Sequence, residues 1–320
     1  MSRAQWRRGF KRAFALAAYA FFFVGGSLGA LGQEPATKRA DGVDVARADE
    51  TSVDAPRMNT QTNGWFVYEG SEQNLCVLAY IGPATNQLSI PQQINGGRVQ
   101  RIAHRAFYKR GFSSVSIPDS VCEIGAFAFG ECTNLVTVAI PGKVQKIDDF
   151  SFLNCSHLTR VELNDEVEDI GKMAFAGCER LTQIHLPNKL CHISDGAFIQ
   201  TKLEQVDAPA SLVEVGVGAF AQCDRLTNVL FRASGVIVQA NAFGECARLT
   251  AVTFLGTVRK VGVLAFTGCP ALHAVRFKMP TFRIIDPTAF KDSPHVNFYQ
   301  LSKEGDVKLE RMALFMKEDH

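Results

Sequence analysis

From about residue 100 onward, apolar positions return on a fixed beat. A phenylalanine that follows a small residue stands at 107, 129, 152, 175, 198, 220, 243, 266 and 290, at spacings of 22 to 24 residues. Alanine precedes eight of these rings, and Ser151 precedes Phe152. Five positions before each ring is Ile or Val, from Ile102 and Ile124 through to Val261 and Ile285. Eight or nine positions after each of the first eight is another, from Val115 and Val138 through to Val252 and Val275. A fixed period carrying a fixed apolar pattern predicts a solenoid, in which each unit buries its face only against its neighbours.

Within one unit, Leu135 to Pro141 alternates as a short strand does, with Val138 and Ile140 inward and Thr137 and Ala139 outward. Pro141 closes the strand because it has no N–H to give a ladder. Pro118, Pro187 and Pro209 hold the same place, and Asn164, Arg232, Leu255 and Lys278 replace it elsewhere. A second short extended piece is expected before Ile124, then a tight turn near Gly125 and a brief helical stretch over Ala128 and Phe129. Stacked coils leave room for one large ring and one methyl, which accounts for the alanine before each phenylalanine.

Ile124-Gly125, Ala128-Phe129, Cys132 and Leu135 through Pro141 resemble the repeat of the BspA-like (Treponema-type) leucine-rich repeat family of bacterial surface proteins. The resemblance covers about residues 101 to 294. Trp65 to Tyr68 and Leu88 to Pro91, before Gly96 and Gly97, look like that family's amino-terminal cap. Departures gather in units seven to nine, where the strand proline is lost and Gln239 or Asp286 stands in the glycine position. The resemblance implies an α/β repeat solenoid, right-handed, with a parallel concave sheet, built of about nine 23-residue units plus caps. It also implies attachment to host proteins, matrix or other cells.

The ends read differently. Arg3, Arg7, Arg8, Lys11 and Arg12 precede an uncharged apolar run from Ala13 to Gly32, with small residues at Ala30 and Gly32. This is the pattern of a secretory signal peptide over 1–32, and of an uncleaved anchor if it is retained. Residues 33–62 contain no aromatic residue and predict a flexible spacer. An amino-terminal cap is expected over 63–100 and the repeats over 101–294. A carboxyl-terminal cap follows over 295–320, with one last strand in His295 to Gln300. In it Leu309, Met312, Ala313 and Met316 follow helical spacing.

Charge adds an exclusion. The formal net charge is +2, and the first 32 residues hold five basic and no acidic side chains, leaving the rest slightly acidic. A nucleic-acid binder needs a basic patch or stripe, so that partner is excluded.

Of nine cysteines, six stand three residues after their phenylalanine: Cys132, Cys155, Cys178, Cys223, Cys246 and Cys269. Thr201 and Ser293 fill that place in units five and nine. A ladder of buried free thiols is the expectation, since equivalent side chains in stacked coils point in parallel. Disulfides are the alternative that export would favour. Cys122 and Cys191 share another place, three repeats apart, and Cys76 lies in the cap. No Cys-x-x-Cys pair is present to suggest zinc.

Catalytic motifs are scarce. The chain has no Gly-x-Ser-x-Gly, phosphate-cradling glycine loop or His-Glu-x-x-His. One row is worth weighing. Glu162, His185 and Asp207 fall on successive outward strand positions, with Arg160, Gln183, Gln205 and Asn228 in the row beside them. Carboxylate, imidazole and carboxylate in line could bind a metal or move protons, but with no nucleophile or closed pocket beside them a solvated polar face or a protein-binding patch is the favoured reading.

Taken together, the sequence predicts an exported protein, periplasmic, cell-surface or secreted, and not an enzyme. It would bind a protein or extracellular-matrix ligand through Arg160, Glu162, Gln183, His185, Gln205, Asp207 and Asn228. No cofactor, no nucleic acid and no membrane span in the mature chain are expected, and the chain is expected to be a monomer. A periplasmic or envelope scaffold is the structural alternative. An enzyme or metal site around Glu162, His185 and Asp207 is the minor one.

Overall fold

In the computed structural model, residues 60–278 and 285–309 are described. The signal segment, most of the spacer and the helix expected after Leu309 fall outside these residues. Each coil from Phe107 to Phe290 makes one circuit and bonds to its neighbours along as many as three lines.

The first line is the edge ladder of short parallel strands that end on the inward Ile or Val. Glu123–Ile124, Lys146–Ile147, Asp169–Ile170, His192–Ile193 and Glu214–Val215 pair in sequence with no break, and Val236–Val238 and Val258–Val261 continue them. The second is the strand face. Ser114–Ser116, Thr137–Ala139 and Arg160–Glu162 form one parallel sheet with Gln87–Ser89. Gln205–Ala208, Asn228–Phe231, Ala251–Phe254, Ala274–Phe277 and Asn297–Gln300 form another.

The third line replaces the expected helix. No helix occurs among the described residues, so the α-helical half of the α/β expectation is not realised there. In the coils of Phe107 to Phe266 two residues per turn stand in the left-handed region, as Phe127 and Glu131 do in coil two, both at φ 55°. A right-handed helix does not run through such positions. Their N–H groups point across to the next coil instead, from Phe127 to the Asp149 carbonyl, Phe129 to Ser151 and Glu131 to Leu153, at 3.1, 2.9 and 2.6 Å. The turn is thus a ladder between coils, which is why local helix cues fail there.

Inside these lines the nine phenylalanines make one column. Neighbouring ring centroids lie 5.1–5.3 Å apart and within 10° of parallel, from Phe107 to Phe290. Each ring is buried. Phe231, Phe254 and Phe277 form a second buried stack, at 4.8 and 5.2 Å. They end three of the five four-residue strands of the second face sheet, whereas the three-residue strands Ser114–Ser116, Thr137–Ala139 and Arg160–Glu162 of the first are followed by aliphatic Ile117, Ile140 and Leu163.

The glycine departures are more regular than units seven to nine suggest. Gly125, Gly171, Gly216 and Gly262 occupy alternate coils, and Asp148, Ser194, Gln239 and Asp286 occupy the coils between. A Cβ on Gly171 would stand 2.7 Å from the Asp149 nitrogen and 2.8 Å from the Asp148 carbonyl carbon of the coil before. Gly216 meets Ser194 and Asp195 in the same way, at 2.6 Å. Close approach therefore alternates along the stack.

Both ends reverse strand direction. Phe66–Ser71 and Asn74–Tyr80 make an antiparallel hairpin that hands over to Gly97–Ile102 in parallel, and Gln61–Asn63 pairs on its outer side. The expected last strand is present as Asn297–Gln300, and Val307–Leu309 pairs antiparallel on it. Leu309 thus ends a strand, and the rest of the expected helix lies outside the described residues.

Candidate functional site

Alternation on the strand face turns every second side chain outward, because successive Cβ atoms leave a strand on opposite sides. Arg160 and Glu162 flank buried Val161, and Gln205 and Asp207 flank buried Val206. Asn228 opens the next strand in register with Gln205, and Leu230 lies in register with Asp207. All the polar members of this group are exposed. The expected strand at Gln183 and His185 is absent. Both side chains are exposed, but their segment belongs to neither face sheet, and the inward Ile184 is only partly buried.

The row of carboxylate, imidazole and carboxylate is therefore not an open cluster. Arg160 pairs with Glu162 of its own strand at 2.7 Å. Arg232 reaches back one coil to Asp207 with two bonds, Nε to Oδ1 at 2.7 Å and Nη2 to Oδ2 at 2.9 Å. The Asp207 hydrogen bond raises the Arg232 pKa further above its ordinary value. The two carboxylates that flank His185 in sequence order are each committed to an arginine. Among the described residues no group of three His, Cys, Asp or Glu is placed to hold a metal. What the middle of the face offers a ligand is mostly the amide hydrogen-bonding capacity of Gln183, Gln205 and Asn228, with the His185 ring exposed among them.

Arg232 was not singled out in the sequence. Its signal was present, since it stands where a strand proline is lost, directly after the strand that neighbours Asp207. A second row also went unread. On the edge ladder, Glu123, Lys146, Asp169, His192 and Glu214 follow one another along outward positions, an acidic residue at every second place and Lys146 or His192 between. His192 Nδ1 lies 2.7 Å from Asp169 Oδ1. Cross-strand pairs of opposite sign stabilise a ladder, so this row has a structural duty.

The thiol ladder has the geometry expected of it. All nine cysteines are free. Each ladder thiol donates to a phenylalanine carbonyl of the preceding coil, from Cys132 to Phe107 at 3.0 Å to Cys269 to Phe243 at 3.2 Å. Burial pushes Cys132, Cys223 and Cys269 up to about 12.

A family model described as the BspA type leucine rich repeat region, in 6 copies, matches residues 100–227 and 214–308. The chain belongs to the BspA-type leucine-rich repeat family. Among solved structures, this repeat protein is similar to a leucine rich cell surface protein from Faecalibacterium prausnitzii. The two share 22% identity over 78% of this chain and 97% of that one, with a TM-score of 0.50. It is also similar to a leucine rich repeat protein of T. pallidum, at 28% identity over 65% of this chain and 88% of that one, with a TM-score of 0.48. Among curated proteins no match was found. The family model places the chain among BspA-type repeats, and the first likeness speaks to the fold alone.

Proposed function

We propose that this BspA-type repeat protein is an exported binding protein that holds another macromolecule, a protein or matrix component, on its strand face in adhesion or cell-surface contact. One observation carries the reading. Outward positions on this face have no packing duty, yet in the middle coils they are exposed hydrogen-bonding side chains: Arg160, Gln205 and Asn228 on strands, and Gln183 and His185 on the unpaired segment between the two sheets. Solenoids bind on such extended faces. Because Arg160 and Arg232 already neutralise Glu162 and Asp207, attraction on this face is only moderately sensitive to salt.

The basic, then apolar, amino terminus supports export, with a mature protein in the periplasm, at the cell surface or released. Among the described residues no helix is long and apolar enough to cross a membrane. Protease treatment of intact cells tests location, since a surface protein is shaved and an internal one is not. A photo-crosslinking side chain placed at Gln183, against one at Glu245 on the turn ladder, tests the face. Adducts from Gln183 alone support the reading, and adducts from Glu245 alone refute it.

A further inference from the structure

Coil four is joined to its neighbours by fewer bonds on the strand side than the coils around it. In most coils the residue just before the face strand donates its N–H to the same place one coil back, and at the start of the last strand Asn297 itself donates to His273. Val136 does so to Ser113, Thr159 to Val136, Glu204 to Thr182, Thr227 to Glu204, Thr250 to Thr227 and His273 to Thr250, at 2.8–3.1 Å. Between Thr182 and Thr159 that rung is missing. From Gln183 to Leu186 no backbone group is hydrogen-bonded to another described residue, and the face divides there into its sheets of four and six strands. Pairing is otherwise the rule for half-buried extended backbone, so this segment relies on water.

A second, independent loss falls beside the first. Coil five runs five residues from Phe198 to Leu203, where coil four runs six from Phe175 to Leu181. The shorter loop turns the Thr201 hydroxyl onto its own Phe198 carbonyl, at 2.9 Å. Its equivalents, the ladder thiols and Ser293, each donate to a phenylalanine carbonyl one coil back. The Phe175 carbonyl therefore receives no such side-chain bond.

The other two lines pass through unbroken. Asp169–Ile170 pairs with His192–Ile193 on the edge ladder. On the turn ladder Met173, Phe175 and Gly177 donate to Asp195, Ala197 and Ile199 at 2.9, 2.8 and 2.9 Å. The Phe175 ring stacks on Phe152 and on Phe198 at 5.3 Å. A stack bonded along two sides and open along the third bends about the closed sides.

We infer that coil four is a flexure built into the solenoid. The face sheet ending at Arg160–Glu162 and the one beginning at Gln205–Ala208 tilt against each other by opening and closing at Gln183–Leu186. The edge and turn ladders act as the hinge. The flexure does not rest on the binding reading, and holds whatever the face contacts.

Spin-label distances in the full chain test it, with Cys122→Ser and Cys191→Ser removing the two accessible thiols. Labels at Thr137→Cys and Asn228→Cys straddle coil four across four coil steps of the face. Labels at Gln205→Cys and Asn297→Cys span the same number of steps inside the second sheet. Labels at Asn154→Cys and Glu245→Cys cross the same region on the turn ladder. With circular dichroism unchanged, the first pair is expected to give a distance distribution about twofold wider than either other pair. Equal widths for all three pairs would overturn the flexure.

Discussion

Arg232 grips Asp207 across one coil, with its Nε and one terminal nitrogen on the two carboxylate oxygens. Both side chains are about half exposed, at 50% and 58%. Water competes for them, so the pair organises the face more than it stabilises the fold. Arg232→Ala is expected to leave the urea unfolding midpoint nearly unchanged. A large drop in that midpoint would show that the face is held up by its ion pairs.

The phenylalanine column bears the stability instead. Phe175 is fully buried and stacked on both sides. Phe175→Ala is expected to cost roughly 3 to 5 kcal/mol, as truncation of a buried ring does. Denaturant titration showing under about 1 kcal/mol would contradict the column's role.

Alternation of glycine gives a paired prediction. A methyl at Gly171 would press on backbone atoms of the preceding coil, which cannot swing aside as a side-chain tip can. Gly171→Ala is expected to cost roughly 1 to 3 kcal/mol, the range for overpacking. Ser194→Ala, in the equivalent place one coil on, is expected to stay within about 0.5 kcal/mol. Equal effects in thermal unfolding would dismiss the alternation as incidental.

The thiols predict both chemistry and pH dependence. Cys122 is exposed and Cys191 partly so, while the other seven are buried. A maleimide is expected to modify those two in the native protein and all nine in denatured, unreduced protein; intact mass showing disulfides would refute this. Burial raises Cys132, Cys223 and Cys269 from 9.0 to about 12, so the folded state keeps protons that the unfolded chain releases. Their contribution to stability is complete below pH 9.0 and is lost as pH rises towards 12. Replacing the three with serine should flatten the alkaline decline in melting temperature, and an unaltered decline would assign it to other groups.

Much of the fold was legible because repetition multiplies a weak signal. One Ala-Phe pair says little, whereas nine rings in phase place the column, the inward Ile and Val and the strands between. The turn was misread because Phe127 is not glycine, and nothing local announces its left-handed backbone or its bond to the next coil. Gln183 to Pro187 alternates just as Thr137 to Pro141 does, so the missing strand leaves no trace in pattern. It follows from rungs to neighbouring coils, and those depend on the stack rather than the segment. Arg232 and Asp207, 25 positions apart, become partners only once the register of adjacent coils is known.

Affinity of the strand face for its partner tests the account most directly. The partner is taken from the Gln183 crosslink and measured by surface plasmon resonance against wild type and the variant Arg160→Ala, His185→Ala and Asp207→Ala combined. These side chains are exposed, so circular dichroism should remain native. The account predicts binding at least tenfold weaker, about 1.4 kcal/mol. Unchanged affinity with native circular dichroism would contradict it, and would move the search to the cap around Trp65 and Tyr68.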